Sequence, residues 1–197
     1  MCYLPAGGRV LTLSAGGLLT LAVTLTLGCQ TAVSGGGAGG GTVATDTKSL
    51  DDFETPPGAT VPGSSELSRL VADMLMQINE FRAENGLPPL ERDSTLDYVA
   101  TTYACRMATR GFFGHVDPDT GEGVIERILA AGYNYAVIAE NLAAGQDSVD
   151  EVMDTWINSP AHRENLLNPD VLDVGIGFCE GPAEFGTYWV QVFGDEL

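Results

Sequence analysis

Across residues 67–85 the apolar positions Leu67, Leu70, Val71, Met74, Leu75, Ile78 and Phe81 recur at helical spacing, with Arg82 on the same stripe and Gly86 as the stop. Leu87-Pro88-Pro89-Leu90 then reads as a rigid connector. Residues 94–110 carry Leu96, Val99, Ala100, Tyr103, Ala104 and Met107 on one stripe and end at Gly111, which predicts a second helix. A short helix is expected near 122–131, closed by Gly132. Ser148 and Glu151 form a capping-box pair ahead of Val149, Val152, Met153, Trp156 and Ile157. Ser159-Pro160 reads as the N-cap and first position of another short helix, through Leu166.

The pattern changes near the end of the chain. Val174, Ile176 and Phe178 alternate with Gly and Asp, and residues 187–193 are β-branched and aromatic. Residues 180–186 make these two strands a hairpin, and 136–143 is a third strand-like run. Helices first and strands last, with no βαβ alternation, predict an α+β fold with an antiparallel sheet.

The beginning of the chain has neither period. Arg9 is the only charge in residues 1–29, and 10–28 is an uncharged run ending at Leu25-Thr26-Leu27-Gly28-Cys29. This is read as a signal peptide over 1–28, with Cys29 as a lipidation site resembling that of bacterial lipoproteins. An uncleaved anchor and plain secretion are the alternatives, and all three place the domain outside the cytoplasm. Residues 29–65, with two Gly triplets and Pro56-Pro57-Gly58, are expected to be a disordered tether, leaving 66–197 as the domain.

Charge narrows the partners. The 197 residues hold 9 Lys and Arg against 27 Asp and Glu, a net −18, so nucleic acid is excluded as a partner. Contact with a membrane is expected through the lipid anchor, and the protein is expected to be a monomer. Of the four cysteines, Cys105 and Cys179 lie in the domain and are expected to be bonded, the alternative being two buried free thiols. Cys105 lies nine positions after Leu96, opposite the core stripe at 100° per residue, where a partner suits a thiol better than packing does.

The two histidines, His115 and His162, both fall outside periodic elements, and Glu140 is the one acid in the run Ile138-Ala139-Glu140-Asn141-Leu142. Two imidazoles and a carboxylate suit a zinc-type site with open positions, although these separations form no local ligand motif. Asp117 and Asp119 read as a turn better than as a calcium loop, and Ser159 as a cap better than as a nucleophile. No Gly-x-Ser-x-Gly elbow, phosphate loop or Cys-x-x-Cys is present.

Taken in order, Ile78-Asn79-Glu80-Phe81-Arg82, Gly111-Phe112-Phe113-Gly114-His115, Ala139-Glu140-Asn141-Leu142-Ala143, Trp156-Ile157-Asn158-Ser159-Pro160-Ala161-His162-Arg163, Val174-Gly175-Ile176-Gly177 and Tyr188-Trp189-Val190-Gln191-Val192-Phe193 closely resemble the bacterial branch of the CAP superfamily. Cysteine-rich secretory proteins, venom antigens and plant pathogenesis-related proteins share this domain, also called the SCP domain. The resemblance implies a three-layer α-β-α sandwich around a central antiparallel sheet. It also implies a cleft lined by two His and two Glu, whose histidines can hold a divalent metal, zinc foremost. His115 matches the first His, Glu140 the Glu of the Glu-Asn pair and His162 the second His. The remaining Glu position is Ser159 here, so the tetrad is incomplete.

Two functions fit this reading. In the first, the cleft of His115, Glu140, His162 and Ser159 binds a small or lipid-like ligand or an extracellular protein, with His115 and His162 as metal ligands. In the second, a metal-dependent, peptidase-like hydrolase uses the same cleft with Glu140 as general base. The incomplete tetrad and the missing nucleophile favour binding. A protein tethered at the cell surface or in the periplasm, or else secreted, is expected.

Overall fold

Asp93 accepts a hydrogen bond from the Leu96 N–H at 2.8 Å, and after a helix of 17 residues Gly111 turns left-handed at φ 75°. The second predicted helix therefore begins and ends on the residues that pattern and capping chemistry single out. The computed structural model describes residues 47–197. Its helices are α1 (Ser64–Glu84), α2 (Ser94–Arg110), α3 (Val124–Ala130), α4 (Val149–Asn158) and α5 (Pro160–Leu166). Its strands are β1 (Glu91–Arg92), β2 (Tyr135–Ala144), β3 (Asp173–Glu180) and β4 (Thr187–Glu196). None of the described helices is long and apolar enough to cross a membrane.

The strands form one sheet in the order β1-β3-β4-β2. The hairpin β3–β4 and the pair β2–β4 are antiparallel, as the pattern predicts. β1 is an addition, laid parallel to β3 with Glu91 opposite Asp173. Two residues after a Pro-Pro pair carry no periodicity to announce a strand.

Side-chain alternation sorts the sheet's two faces into two cores. Ala139, Ala143, Val174, Ile176, Phe178, Trp189 and Phe193 pack with α1, α4 and α5. Ile138, Leu142, Cys179, Tyr188, Val190 and Val192 pack with α2 and α3 on the other face. The result is the α-β-α sandwich.

Glycines set how closely α2 approaches the sheet. A Cβ on Gly175 would lie 2.1 Å from the Leu96 carbonyl carbon, and one on Gly177 2.2 Å from that of Ala100. Two strand residues advance about 6.6 Å and four helical residues about 6 Å, so helix and strand stay in step. Two strand positions after Gly177 comes Cys179, which meets Cys105 in a disulfide closing 74 residues. The expected bond is present, but the expected place of Cys105 is not. It is fully buried against the sheet, because α2 buries more than one stripe: Thr101, Cys105 and Ala108 face inward along with Leu96 and Tyr103.

The segment read as tether is partly domain. From residue 47 onward it is laid against the fold: the Lys48 N–H donates to the Ala131 carbonyl, Thr60 pairs with Glu180, and Phe53, Ala59 and Val61 pack on the α2–α3 core. Scattered apolar residues among Pro and Gly have no period, so only tertiary contact reveals their role. The expected signal peptide and Cys29 lie outside the described residues.

Candidate functional site

β2 is an edge strand, and consecutive residues on it face opposite layers. Glu140 shares its parity with Ile138 and Leu142 and faces the α2–α3 layer; Asn141 shares its parity with Ala139 and Ala143 and faces α4 and α5. The site is assembled around this edge, with His115 arriving from the loop after α2 and His162 from α5.

The Glu140 carboxylate is 1% exposed and both of its oxygens are engaged. Oε1 lies 2.8 Å from His115 Nδ1, and Oε2 lies 2.6 Å from Arg127 Nη2. A carboxylate oxygen without a proton can only accept, so Nδ1–H donates to Oε1, and in the neutral ring Nε2 then keeps the lone pair. Arg127 is itself held in place. Its guanidinium lies 3.4 Å over the Tyr103 ring centroid, and its Nη1 donates to the carbonyls of His115 and Glu122. The Tyr103 hydroxyl donates to the Gly114 carbonyl, and burial pushes its phenol up to about 12, so it stays a donor. Every protein contact of the Glu140 carboxylate thus bears on the segment around His115.

Asn141 does the equivalent for the other layer. Its Nδ2 donates to the His162 carbonyl and to Gln191 Oε1, both at 3.2 Å, and its Oδ1 accepts from Asn165 at 2.8 Å. Asn165 also donates to the Glu140 carbonyl, and the Trp156 indole donates to that of Leu142. Two carbonyls of the edge strand are thereby satisfied by side chains of α5 and α4, and the edge is covered. Among the described residues, His162 Nδ1 is buried without a hydrogen-bond partner. Burial, with a smaller contribution from the charge of His115, pushes the His162 imidazole below the ordinary range and keeps it neutral.

The structure therefore joins His115 to Glu140 directly and sets His162 within electrostatic reach of His115. Ser159 is the N-cap of α5 with Pro160 at N1, as expected, and is also the C-cap of α4. Its hydroxyl, however, makes no capping bond; the cap consists of its backbone carbonyl accepting from Arg163 N–H at 2.8 Å. Pro160 removes one of the N–H groups that would otherwise seek a cap. Asp117 and Asp119 form the expected turn, Asp117 Oδ1 accepting from the Asp119 N–H. That turn is pinned by Arg106 at 2.6 Å, which holds the Asp117 carboxyl below its usual range.

Sequence reasoning missed Arg127, Tyr103, Asn165 and Gln191. Arg127 follows Glu126 on a seven-residue helix whose other residues are apolar; its scarcity as a base in an acidic chain is the one signal that could have drawn attention to it.

A divalent ion suits this donor set only in part. The two imidazoles can supply nitrogen ligands, but Glu140 is occupied, and Ser159 stands where the family resemblance calls for a second Glu. Among the described residues no three His, Cys, Asp or Glu converge as a metal cluster. Any ion here would complete its coordination with water or with a bound molecule.

Residues 75–193 match the cysteine-rich secretory protein (CAP) family. The Bacillus subtilis protein YkwD is 32% identical over 134 residues, 68% of this chain and 50% of its own length. A Borreliella burgdorferi protein is 32% identical over 99 residues, 50% of this chain and 62% of its own length. The chain thus spans about half the length of the curated relatives it matches. Among solved structures, an outer surface protein of Borrelia burgdorferi superposes with a TM-score of 0.59 at 27% identity, covering 66% of this chain and 94% of its own. An extracellular SCP-domain protein of Bacillus anthracis gives a TM-score of 0.56 at 24% identity, over 70% of this chain and 45% of its own, which speaks to the fold alone.

Proposed function

Because the chain belongs to the cysteine-rich secretory protein (CAP) family, in the bacterial form of its SCP domain, we propose that it is an extracytoplasmic binding module, membrane-tethered through Cys29, whose His115–Glu140–His162 cleft holds a small or lipid-like ligand. The observation that carries this reading is the setting of His115. Its imidazole is fixed from behind by the buried Glu140–Arg127 pair, and its neighbours along the loop include exposed apolar side chains, Phe113 at 47% and Val116 at 56% exposure. Phe185 extends that rim, its ring 5.9 Å from that of Phe113. A polar centre bordered by exposed apolar groups suits a ligand with both characters.

His115 and His162 are the residues that would hold a divalent ion, zinc foremost, and such an ion would bridge protein to ligand as a Lewis acid. Glu140 would then act through His115, fixing the tautomer that leaves Nε2 free. With each oxygen already holding a donor and the carboxylate buried, Glu140 is built to orient His115 rather than to take a proton from water as a general base. The surface placement of the Borrelia burgdorferi relative supports export.

Zinc titration of the full chain by calorimetry tests the reading. His115→Ala is expected to abolish saturable binding, and Glu140→Gln to weaken it about 10–100-fold by loosening the ring. Zinc affinity unchanged in both variants would remove the metal from the proposal. Zinc-dependent turnover in a hydrolase panel, lost in Glu140→Gln, would replace binding with catalysis.

A further inference from the structure

A cavity of about 390 Å³ lies between α2 and α3, walled by Tyr98, Val99 and Tyr103 from one helix and Ala130 and Ala131 from the other. Its charge runs against the character of the protein. Three of the nine Lys and Arg in a chain of net −18 line it, namely Lys48, Arg106 and Arg127. Asp117 and Glu122 are the opposing carboxylates, and Asp117 is already bound by Arg106. Lys48 is half-buried and has no ion-pair partner among the described residues. The Arg127 Nε–H is buried and finds no acceptor among the described residues, so the side chain gains a hydrogen bond if it turns toward an oxygen in the cavity.

We propose that this cavity is a second ligand site, distinct from the His115 cleft, and that it takes a small monocarboxylate with an apolar body. The apolar walls take the body, and Lys48 and Arg127 take the carboxylate. One charge is the right number: Asp117 and Glu122 at the rim would oppose a doubly charged phosphate. The volume is in the range of pockets that enclose small organic ligands, and too small for a protein segment of any length. Arg127 stands between the two sites, its Nη2 on Glu140 and its side chain also lining this cavity. A carboxylate bound here would tighten the arginine that holds Glu140, so the cavity is placed to report on the cleft.

The probe is 3-phenylpropionate, titrated into the full ¹⁵N-labelled chain while the arginine Nε–H resonances are followed. The Arg127 Nε–H signal is expected to move and saturate. The neutral 3-phenylpropanol, with the same body, and acetate, with the charge alone, are each expected to bind at least about tenfold more weakly. Ala130→Trp, at an exposed helical position that tolerates bulk, is expected to abolish the shift; Lys48→Gln is expected to weaken it about three- to tenfold. An Arg127 signal that does not respond, equal binding of acetate, or undiminished binding in Ala130→Trp each overturns the proposal. Zinc binding at the His115 cleft is expected to be unchanged in Ala130→Trp, which separates failure here from failure there.

Discussion

His162 shows how a single side chain can record its surroundings. Its imidazole is partly buried, its Nδ1 has no partner among the described residues, and its protonation is disfavoured by burial first and by His115 second. The unfolded chain binds a proton at about pH 6.5, and the folded chain resists that proton to lower pH. Between those values the unfolded state holds more protons, so stability falls as pH drops below about 6.5 and is recovered above it. Chemical denaturation of the metal-free protein from pH 7 to pH 5 is expected to show this loss. In His162→Gln the slope should be smaller over the same window. An identical slope in both proteins would mean that the imidazole meets water freely in the folded state.

At the scale of elements, the contact between α2 and β3 is decided by missing side chains. Gly175, Gly177 and Gly181 all face the helix at positions where a Cβ would meet its backbone, the last of them 2.5 Å from the Ala108 carbonyl oxygen. Backbone cannot move aside as a side-chain tip can. Gly177→Ala is therefore expected to cost about 2–3 kcal/mol in urea unfolding, through displacement of α2. Gly114→Ala is the control, since a Cβ there meets nothing within 4 Å; it should change stability by less than about 0.5 kcal/mol. The first helix is tied by a different device. Asn79 exchanges two hydrogen bonds with Leu90, and the fully buried Arg82 donates to the carbonyls of Pro88, Leu166 and Asn168. These two polar residues, one turn apart, bind the Pro-rich connector and the end of α5 to α1, which is why they stand on an otherwise apolar face.

For the molecule as a whole, the Cys105–Cys179 bond spans 74 residues, including the loop that carries His115, the strand that carries Glu140 and the helix that carries His162. It closes the stretch of chain from which the site is built. By the chain-entropy argument, a loop of this length contributes about 4 kcal/mol. Replacing both cysteines with Ala is expected to lower Tm by roughly 10 °C, on the scaling for a domain of this size. The cost should fall on α2 and β3 before it reaches α1, because the bond lies in the α2–α3 core. Hydrogen exchange by segment would check that order, and uniform loss of protection would contradict it.

Helices α1 to α5 and the β3–β4 hairpin were legible from apolar period, caps and stops, because those signals are local and each element obeys its own. The six ordered motifs made the family resemblance legible as well, and with it His115, Glu140 and His162. What held those residues in place was not legible. Arg127 is one base on a short helix, and nothing in its neighbours predicts that its guanidinium lies on Tyr103 and against Glu140. The packing of residues 47–65 and the strand β1 were equally hidden, since neither has a period of its own. The bond between Cys105 and Cys179 was expected from compartment and count, yet the face given to Cys105 was wrong. Helical period reports which stripe is most apolar, whereas a helix lying on a glycine-lined strand buries its small residues too. Sequence alone determined which elements form and which residues could do chemistry. Tertiary structure alone decided how closely the elements approach and which charges meet, because those depend on groups brought together from far along the chain.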